Sequence, residues 1–232
     1  MSLEEKREFF ELEFKDRKNW NFSEIFGNDN QVFLEIGSGM GEFLRMRSLI
    51  NHNRNFIGIE IKQNRLNQII NNLDIQRHSN VRVARLFVDD KVTEVIPEGS
   101  IKRVFINHPD PWPKKKHHKK RLIQPAFIDT LNKILKRKGI VWIATDDADY
   151  AEWIVDKFAV RPDFVSMYAG GYSREPEAGH IVTYFEELKR KEGFSPYFLK
   201  FRKKCALENI DPNQEAALQN TFAPQGDKND KQ

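Results

Sequence analysis

From Gln31 onward, short runs of β-branched, aromatic and aliphatic residues alternate with longer stretches whose apolar positions recur every three or four residues. The first kind predicts strands over Gln31–Ile36, Asn55–Glu60, Val81–Leu86, Lys102–Ile106 and Ile140–Ala144. The second predicts helices over Glu42–Ile50, Gln63–Leu73, Gln124–Lys136 and Asp149–Phe158, with Gly139 read as the C′ glycine that closes the third. Five strands alternating with helices call for a parallel sheet with right-handed crossovers, so the fold class is α/β. The regularity then breaks. Asp163–Tyr168 and Pro196–Arg202 read as two further strands, separated by a loop at Gly170 and Gly171 and a helix over Tyr184–Lys191. Ahead of the alternating part, Leu3–Lys18 reads as a helix with Phe9, Phe10, Leu12 and Phe14 among charges. Behind it the chain turns polar, and Thr221–Gln232 has almost nothing to bury, which predicts a disordered tail. The expected division is an N-terminal helical extension over 1–30, one α/β domain over 31–203 and a polar tail over 204–232.

Composition narrows the partners more than the fold. The 232 residues carry 18 Phe and 4 Trp, enough for a real core and incompatible with a wholly disordered chain. Cys205 is the single cysteine, which excludes an intramolecular disulfide framework and a cysteine-based zinc site, and reads as a packed thiol rather than a nucleophile. The charged N-terminal stretch lacks the apolar centre of a signal peptide, and no apolar run approaches the roughly 20 residues of a membrane span. A soluble cytoplasmic protein with no membrane partner is expected.

The net charge of +4 is unevenly spread, because Lys114, Lys115, Lys116, Lys119, Lys120 and Arg121 crowd one segment together with His117 and His118. Such a run is ordinarily a solvated face. Here it directly follows His108-Pro109-Asp110-Pro111-Trp112-Pro113, in which three prolines of fixed φ hold one carboxylate in a stiff, non-helical loop. That loop follows an expected strand, where α/β folds bind ligands, and the cationic run would attract a polyanion such as nucleic acid. Trp112 could stack on a base or pack against the protein, and both readings stay open. His108, His117 and His118 have neither cysteine neighbours nor helical spacing, so no metal is expected.

The first strand runs into Glu35-Ile36-Gly37-Ser38-Gly39-Met40-Gly41. Alternate glycines between a strand and a helix let backbone approach a ligand closely. The spacing is G-x-G-x-G rather than the dinucleotide G-x-G-x-x-G. A sulfonium cofactor such as S-adenosylmethionine has no phosphate for a helix N-terminus to hold, whereas its methionyl ammonium suits a carboxylate at the strand end, and Glu35 is that carboxylate. Glu60 ends the second strand, where an acid can accept hydrogen bonds from both ribose hydroxyls; alternatively it caps the following helix.

Taken in order, EIGSGMGEFL, FIGIE, HPDPWPKKKHHKKRL, ATDD and TYFE closely resemble the bacterial tRNA (guanine-N7-)-methyltransferase family, over roughly Gln31 to Arg202. The D-P-W-x-K motif with its cationic cluster is the specific part; the glycine loop is shared by all class I methyltransferases. The resemblance implies a Rossmann-like class I S-adenosylmethionine-dependent methyltransferase fold, with seven strands, mostly parallel, the last antiparallel, and helices on both faces. It implies an enzyme that forms N7-methylguanosine at position 46 of the tRNA variable loop. Carried over by motif, Glu35, Gly37, Gly39, Gly41 and Glu60 would bind the cofactor, and Asp110 would be the active-site acid near both cofactor and base. Lys114 would contact substrate; Lys116, His117, His118, Lys119, Lys120 and Arg121 would face RNA. Asp146 and the segment Thr183, Tyr184, Phe185, Glu186 would lie on the substrate side. The family's Asp-Ala pair at the end of the third strand is missing: its Asp aligns with Phe87, and a bulge of one or two residues would bring Asp89 or Asp90 into place. Asp89 is carried as the adenine-side candidate.

Two other classes compete. A nicotinamide-dependent oxidoreductase would share the acid at Glu60 but not the glycine spacing, and it gives the cationic loop no purpose. A non-catalytic RNA-binding protein on the same scaffold would not need Glu35, the glycines and Asp110 together. Both a monomer and a homodimer fit the reading.

Overall fold

A computed structural model of the chain describes residues 2–13 and 19–205, and of Asp90 and Lys91 the backbone alone. The helix expected over Leu3–Lys18 is shorter: it ends at Phe10, and Glu11 is already extended where it bridges Val83, so Leu12 lies beyond it. Residues 14–18, Phe14 included, and nearly all of the expected polar tail, residues 206–232, lie outside the described residues.

Seven strands form one sheet: β1 (Val32–Ile36), β2 (Asn55–Glu60), β3 (Val81–Arg85), β4 (Ile101–Asn107), β5 (Leu135–Thr145), β6 (Phe164–Ser166) and β7 (Tyr197–Lys203). Their order is β3-β2-β1-β4-β5-β7-β6. The first five are parallel, and β7 runs antiparallel to both β5 and β6. The helices are α1 (Leu3–Phe10), α2 (Phe22–Phe26), α3 (Glu42–Ile50), α4 (Gln63–Asn72), α5 (Pro125–Ile134), α6 (Ala148–Ala159) and α7 (Tyr184–Lys191).

Period-two alternation along the strands builds both faces. Val32, Leu34 and Ile36 of β1, Ile57 and Ile59 of β2, and Val104 and Ile106 of β4 pack with α5 and α6 in one buried cluster. The intervening Phe33, Phe56, Phe105 and Trp142 join Phe43 and Leu44 of α3 and Leu66, Ile69 and Ile70 of α4 in the other. By the same alternation, Glu35, Glu60 and Asn107 belong to this second face, where they stand at the carboxyl ends of three strands. The order reverses between β1 and β4, and such a switch point opens a crevice at those ends. The N-terminal segment extends the sheet at its other edge: Glu11 bridges Val83 in parallel, and the buried Arg82 reaches the Ile25 carbonyl while stacking on Phe9 and Phe26.

The reading of Gly139 as a helix terminator is corrected. α5 ends at Ile134, and Leu135 turns at once into β5 because its side chain belongs to the core. Leu135 pairs with Ile101 and Ile140 with Arg103, so the intervening residues bulge outward, and the left-handed position is Lys138 (φ 57). Gly139 serves a close approach instead, since a Cβ there would stand 2.7 Å from the Lys136 carbonyl. Among the described residues, no helix is long and apolar enough to cross a membrane.

Candidate active site

The glycine loop folds back over the end of β2. Gly37 and Ser38 both donate their N–H to the Ile59 carbonyl, at 2.9 and 3.0 Å. Gly37 (φ 78) and Gly39 (φ 56) take left-handed conformations that strain any L side chain, and the space a Cβ would occupy is open at both. Gly41 answers to packing as well, because a Cβ there would press on Ile69 of α4 at 2.8 Å. Gly58 completes the fit: a Cβ on β2 would meet Leu44 at 2.6 Å and the Ser38 hydroxyl at 2.7 Å.

Two carboxylates flank this loop. Glu35 is buried, with one oxygen accepting the Asn107 amide at 3.1 Å and the other without a partner. Burial pushes its carboxyl up to about 7, against the lowering effect of the Asn107 hydrogen bond and of the nearby Ser38 hydroxyl, with the negative charge of Glu60 adding to the rise. Glu60 accepts from Gly39 N–H at 2.9 Å through one oxygen and from Lys62 N–H at 3.0 Å through the other. It therefore props the glycine loop and the turn into α4, but it does not cap α4 as the alternative reading required: the N-cap is Lys62, and no side chain caps the helix. Met40, Ile61 and Phe87 follow the ends of β1, β2 and β3 and are 55%, 51% and 68% exposed. Large apolar side chains left open beside a crevice suit the face of an aromatic base. Asp89 lies with Phe87 on the segment after β3, half-buried, just ahead of the 3₁₀ turn Asp90–Glu94.

Asp110 is exposed on the loop after β4 and makes no hydrogen bond or ion pair among the described residues. The loop that presents it is stiff for more reasons than its prolines. His108 (φ 49) and Trp112 (φ 45) are both left-handed, and His108 donates its N–H to the Ala144 carbonyl at 2.8 Å. Trp112 is half-buried and packs within its own loop, edge-on to His117 at 5.7 Å and under the Lys120 ammonium at 4.7 Å.

The cationic run divides in two. Lys114, Lys115, Lys116, Lys119 and Lys120 are exposed around the 3₁₀ turn Lys115–Lys120, with His117 and His118 half-buried behind them. Arg121 is the exception and corrects the expectation that it faces RNA. Its side chain is 0% exposed, lying over the rings of Tyr150 and Trp153, with Nε donating to the Pro111 carbonyl at 2.7 Å and Nη2 bonded to Asp149 at the start of α6. Arg121 is thus a tether from the Asp110 loop to α6.

Of the paired acids after β5, Asp147 caps α6 by accepting from Tyr150 N–H at 2.7 Å, which leaves Asp146 to face His108. Glu186 corrects a second expectation. It was expected on the substrate side, yet it is buried, with one oxygen 2.7 Å from His180 Nε2 and the other accepting from Arg190 Nε at 2.8 Å. Burial opposes its ionisation, but His108, His180 and Arg190 prevail and hold its carboxyl well below the usual range. Thr183 caps α7 by accepting from Glu186 N–H at 3.3 Å. Tyr184 and Phe185 are 64% and 46% exposed, and Tyr184 N–H is held by Glu42 at the start of α3, so α7 is pinned to the helix that leaves the glycine loop.

The sequence reading therefore missed Asn107, Glu42, His180 and Arg190. Asn107 was within reach, since it ends β4 on the same face as Glu35. His180 had no local signal, because its role arises only where the segment before α7 folds over Trp142 and Phe198. Among the described residues, no group of three His, Cys, Asp or Glu side chains is placed to hold a metal ion.

A buried carboxylate oxygen without a partner beside an open glycine cradle fits a cationic amine attached to a nucleoside. Together with the strand order, this defines a class I S-adenosylmethionine-dependent methyltransferase. The family described as "Putative methyltransferase" matches residues 29–199. A tRNA (guanine-N(7)-)-methyltransferase of Legionella pneumophila (strain Corby) is 37% identical over 199 residues, covering 85% of this chain and 88% of the relative. A protein of the same description from Geobacillus sp. (strain WCH70) is 30% identical, covering 86% of each. The chain belongs to this family of tRNA (guanine-N(7)-)-methyltransferases. Among solved structures, the 16S rRNA methyltransferase KamB superposes with a TM-score of 0.57 at 13% identity, covering 84% of this chain and 96% of that one. An rRNA methylase from Streptococcus thermophilus gives 0.51 at 12% identity, covering 77% and 89%. These two share the fold.

Replacing Arg121 by Ala should cost about 2–3 kcal/mol, since it removes a hydrogen bond to the half-buried Pro111 carbonyl, an ion pair and two ring contacts. Urea denaturation checks this; an unchanged midpoint would return Arg121 to the surface.

Proposed function

We propose that this protein methylates N7 of guanine in tRNA, at position 46 of the variable loop, with S-adenosylmethionine as methyl donor. The observation that carries the reading is the partnerless Glu35 oxygen at the β1–β4 switch point, one loop away from an unengaged Asp110 that leads into five exposed lysines. The catalytic unit spans 31–203, with 1–30 as an N-terminal extension, and the protein works where tRNA is, in the cytoplasm.

In this reading Glu35 receives the methionyl ammonium, Gly37, Gly39 and Gly41 let the backbone approach, and Glu60 serves the ribose while holding Gly39. Asp89 or its neighbour Phe87 borders the adenine. The bound cofactor supplies an electrophilic methyl group on a sulfonium, and guanine N7 offers an in-plane lone pair and no proton. No base is needed to generate the nucleophile, so positioning dominates. Asp110 accepts hydrogen bonds from the guanine N1–H and amino edge and stabilises the positive charge that develops on the ring. Asp146 can assist on the same edge; Glu186, with both oxygens engaged, instead fixes the α7 end that presents Tyr184 and Phe185. Lys114 meets the substrate next to Asp110, and Lys116, His117, His118, Lys119 and Lys120 face the RNA backbone.

The direct test supplies labelled S-adenosylmethionine and tRNA lacking the modification, then maps the labelled nucleotide. Label should appear as 7-methylguanosine at position 46; label at another position or on another base contradicts the reading. Asp110→Ala should lower turnover at least about a hundredfold with cofactor affinity within about tenfold, and equal losses of both would remove Asp110 from the chemistry. Alanine at Lys116, Lys119 and Lys120 should weaken tRNA binding and flatten its salt dependence, by up to about one unit of log-log slope for each phosphate no longer neutralised. An unchanged slope would make these lysines a solvated face.

A further inference from the structure

His108 takes no part in the methyl transfer described above, yet it stands at the junction of everything on the substrate side. Its side chain is 5% exposed. Nδ1 lies 3.3 Å from Asp146 Oδ1, in the turn after β5, and Nε2 lies 3.8 Å from Glu186 Oε2 on α7. Phe185 covers the ring at 5.0 Å. Only the Asp146 contact is a hydrogen bond; at 3.8 Å Glu186 is held by charge, so a neutral imidazole can serve Asp146 but exerts no ionic pull on Glu186, whereas the imidazolium engages both. The backbone agrees that the residue is held under constraint. It is left-handed immediately before a proline, a position where L residues are pushed towards extended conformations. Such strain persists only where the surroundings over-determine it, and it concentrates at functional sites.

We propose that His108 is a positioning residue, whose charged ring clamps Asp146 to Glu186 and thereby holds the β5–α6 turn, α7 and the Asp110 loop in one geometry for the target base. This rests on the function proposed above. The balance of charges supports it. Arg190 already serves the other Glu186 oxygen and His180 shares Oε2, while among the described residues His108 is the one side chain that hydrogen-bonds Asp146, with its own backbone N–H helping and Lys189 acting on it from farther off. Losing one proton leaves a neutral ring whose remaining N–H can still serve Asp146, but its charge no longer holds Glu186, and the link between the two acids is broken.

The sign of the pH dependence follows from these neighbours. Burial alone would depress the His108 pKa, but Asp146 and Glu186 outweigh it, and the net shift is upward from 6.5. A group raised in this way keeps its clamp below its own pKa and loses it as pH rises through that value. With cofactor saturating, kcat/KM for tRNA should fall on the alkaline side.

The experiment compares the wild type with His108→Asn, which tolerates the left-handed backbone and keeps a neutral donor. The variant should bind S-adenosylmethionine within about twofold of the wild type. Its kcat/KM for tRNA should drop about tenfold at about pH 6.5, and the alkaline limb of its profile should vanish. A variant that keeps the limb, or loses cofactor affinity in the same proportion, overturns the clamp. Imidazole NMR of the wild type gives a readout that needs no substrate: His108 should titrate above 6.5 and move down in Asp146→Asn. Titration at or below 6.5 contradicts the clamp whatever the activity. Titration as expected in a protein that methylates no tRNA would strike the function and leave the clamp standing.

Discussion

A carboxylate taken out of water with one oxygen unpaired is costly, and proteins ordinarily avoid this by neutralising or partnering it. Here the cost is borne at Glu35, where the sheet order reverses and the carboxyl ends of β1 and β4 part to form a crevice. Asn107, reaching across from β4, satisfies one oxygen and, among the described residues, the other has no hydrogen-bond partner. The surroundings follow from that arrangement. The glycine loop is left-handed three times, at Gly37, Gly39 and Gly41, Gly58 must lack a side chain to let the loop settle, and Glu60 holds Gly39 in place.

The substrate side is assembled by long tethers rather than by local structure. Arg121, buried ten residues beyond Pro111, grips that residue's carbonyl and anchors the whole Asp110 loop to α6. Glu42 holds the start of α7 to α3, so the segment carrying Tyr184 and Phe185 is bound to the helix leading from the glycine loop. His108, Glu186, His180 and Arg190 knit the β4, β5 and α7 ends into one polar junction. Asp110 is left without partners in the middle of this framework, as a group that must orient a base needs to be.

Much of the fold was legible because the period of the apolar pattern changes cleanly between two and three to four. β2, α3 and α7 agree with their expected bounds residue for residue. The exception at Leu135–Gly139 shows the limit: a glycine after a helical run looks like a cap, and only tertiary pairing with Ile101 reveals that strand has already begun. In the site, residues next to a strand end or a proline could be located from neighbours alone. Arg121 and Glu186 could not, because each sits inside a charged motif that reads as surface, and their burial depends on Tyr150, Trp153, His180 and Arg190, all distant or on another turn.

The central claim is that the free oxygen of Glu35 waits for a cationic ligand, and calorimetry of S-adenosylmethionine binding across about pH 6 to 8 tests it most directly. With the carboxyl raised to about 7 in the free protein, binding an ammonium must expel its proton below that pH. Affinity should therefore rise by up to about tenfold per pH unit towards about 7 and then level off. Glu35→Gln, which cannot ionise, should bind weakly at every pH. A flat profile for the wild type, or wild-type affinity in Glu35→Gln, would contradict the account.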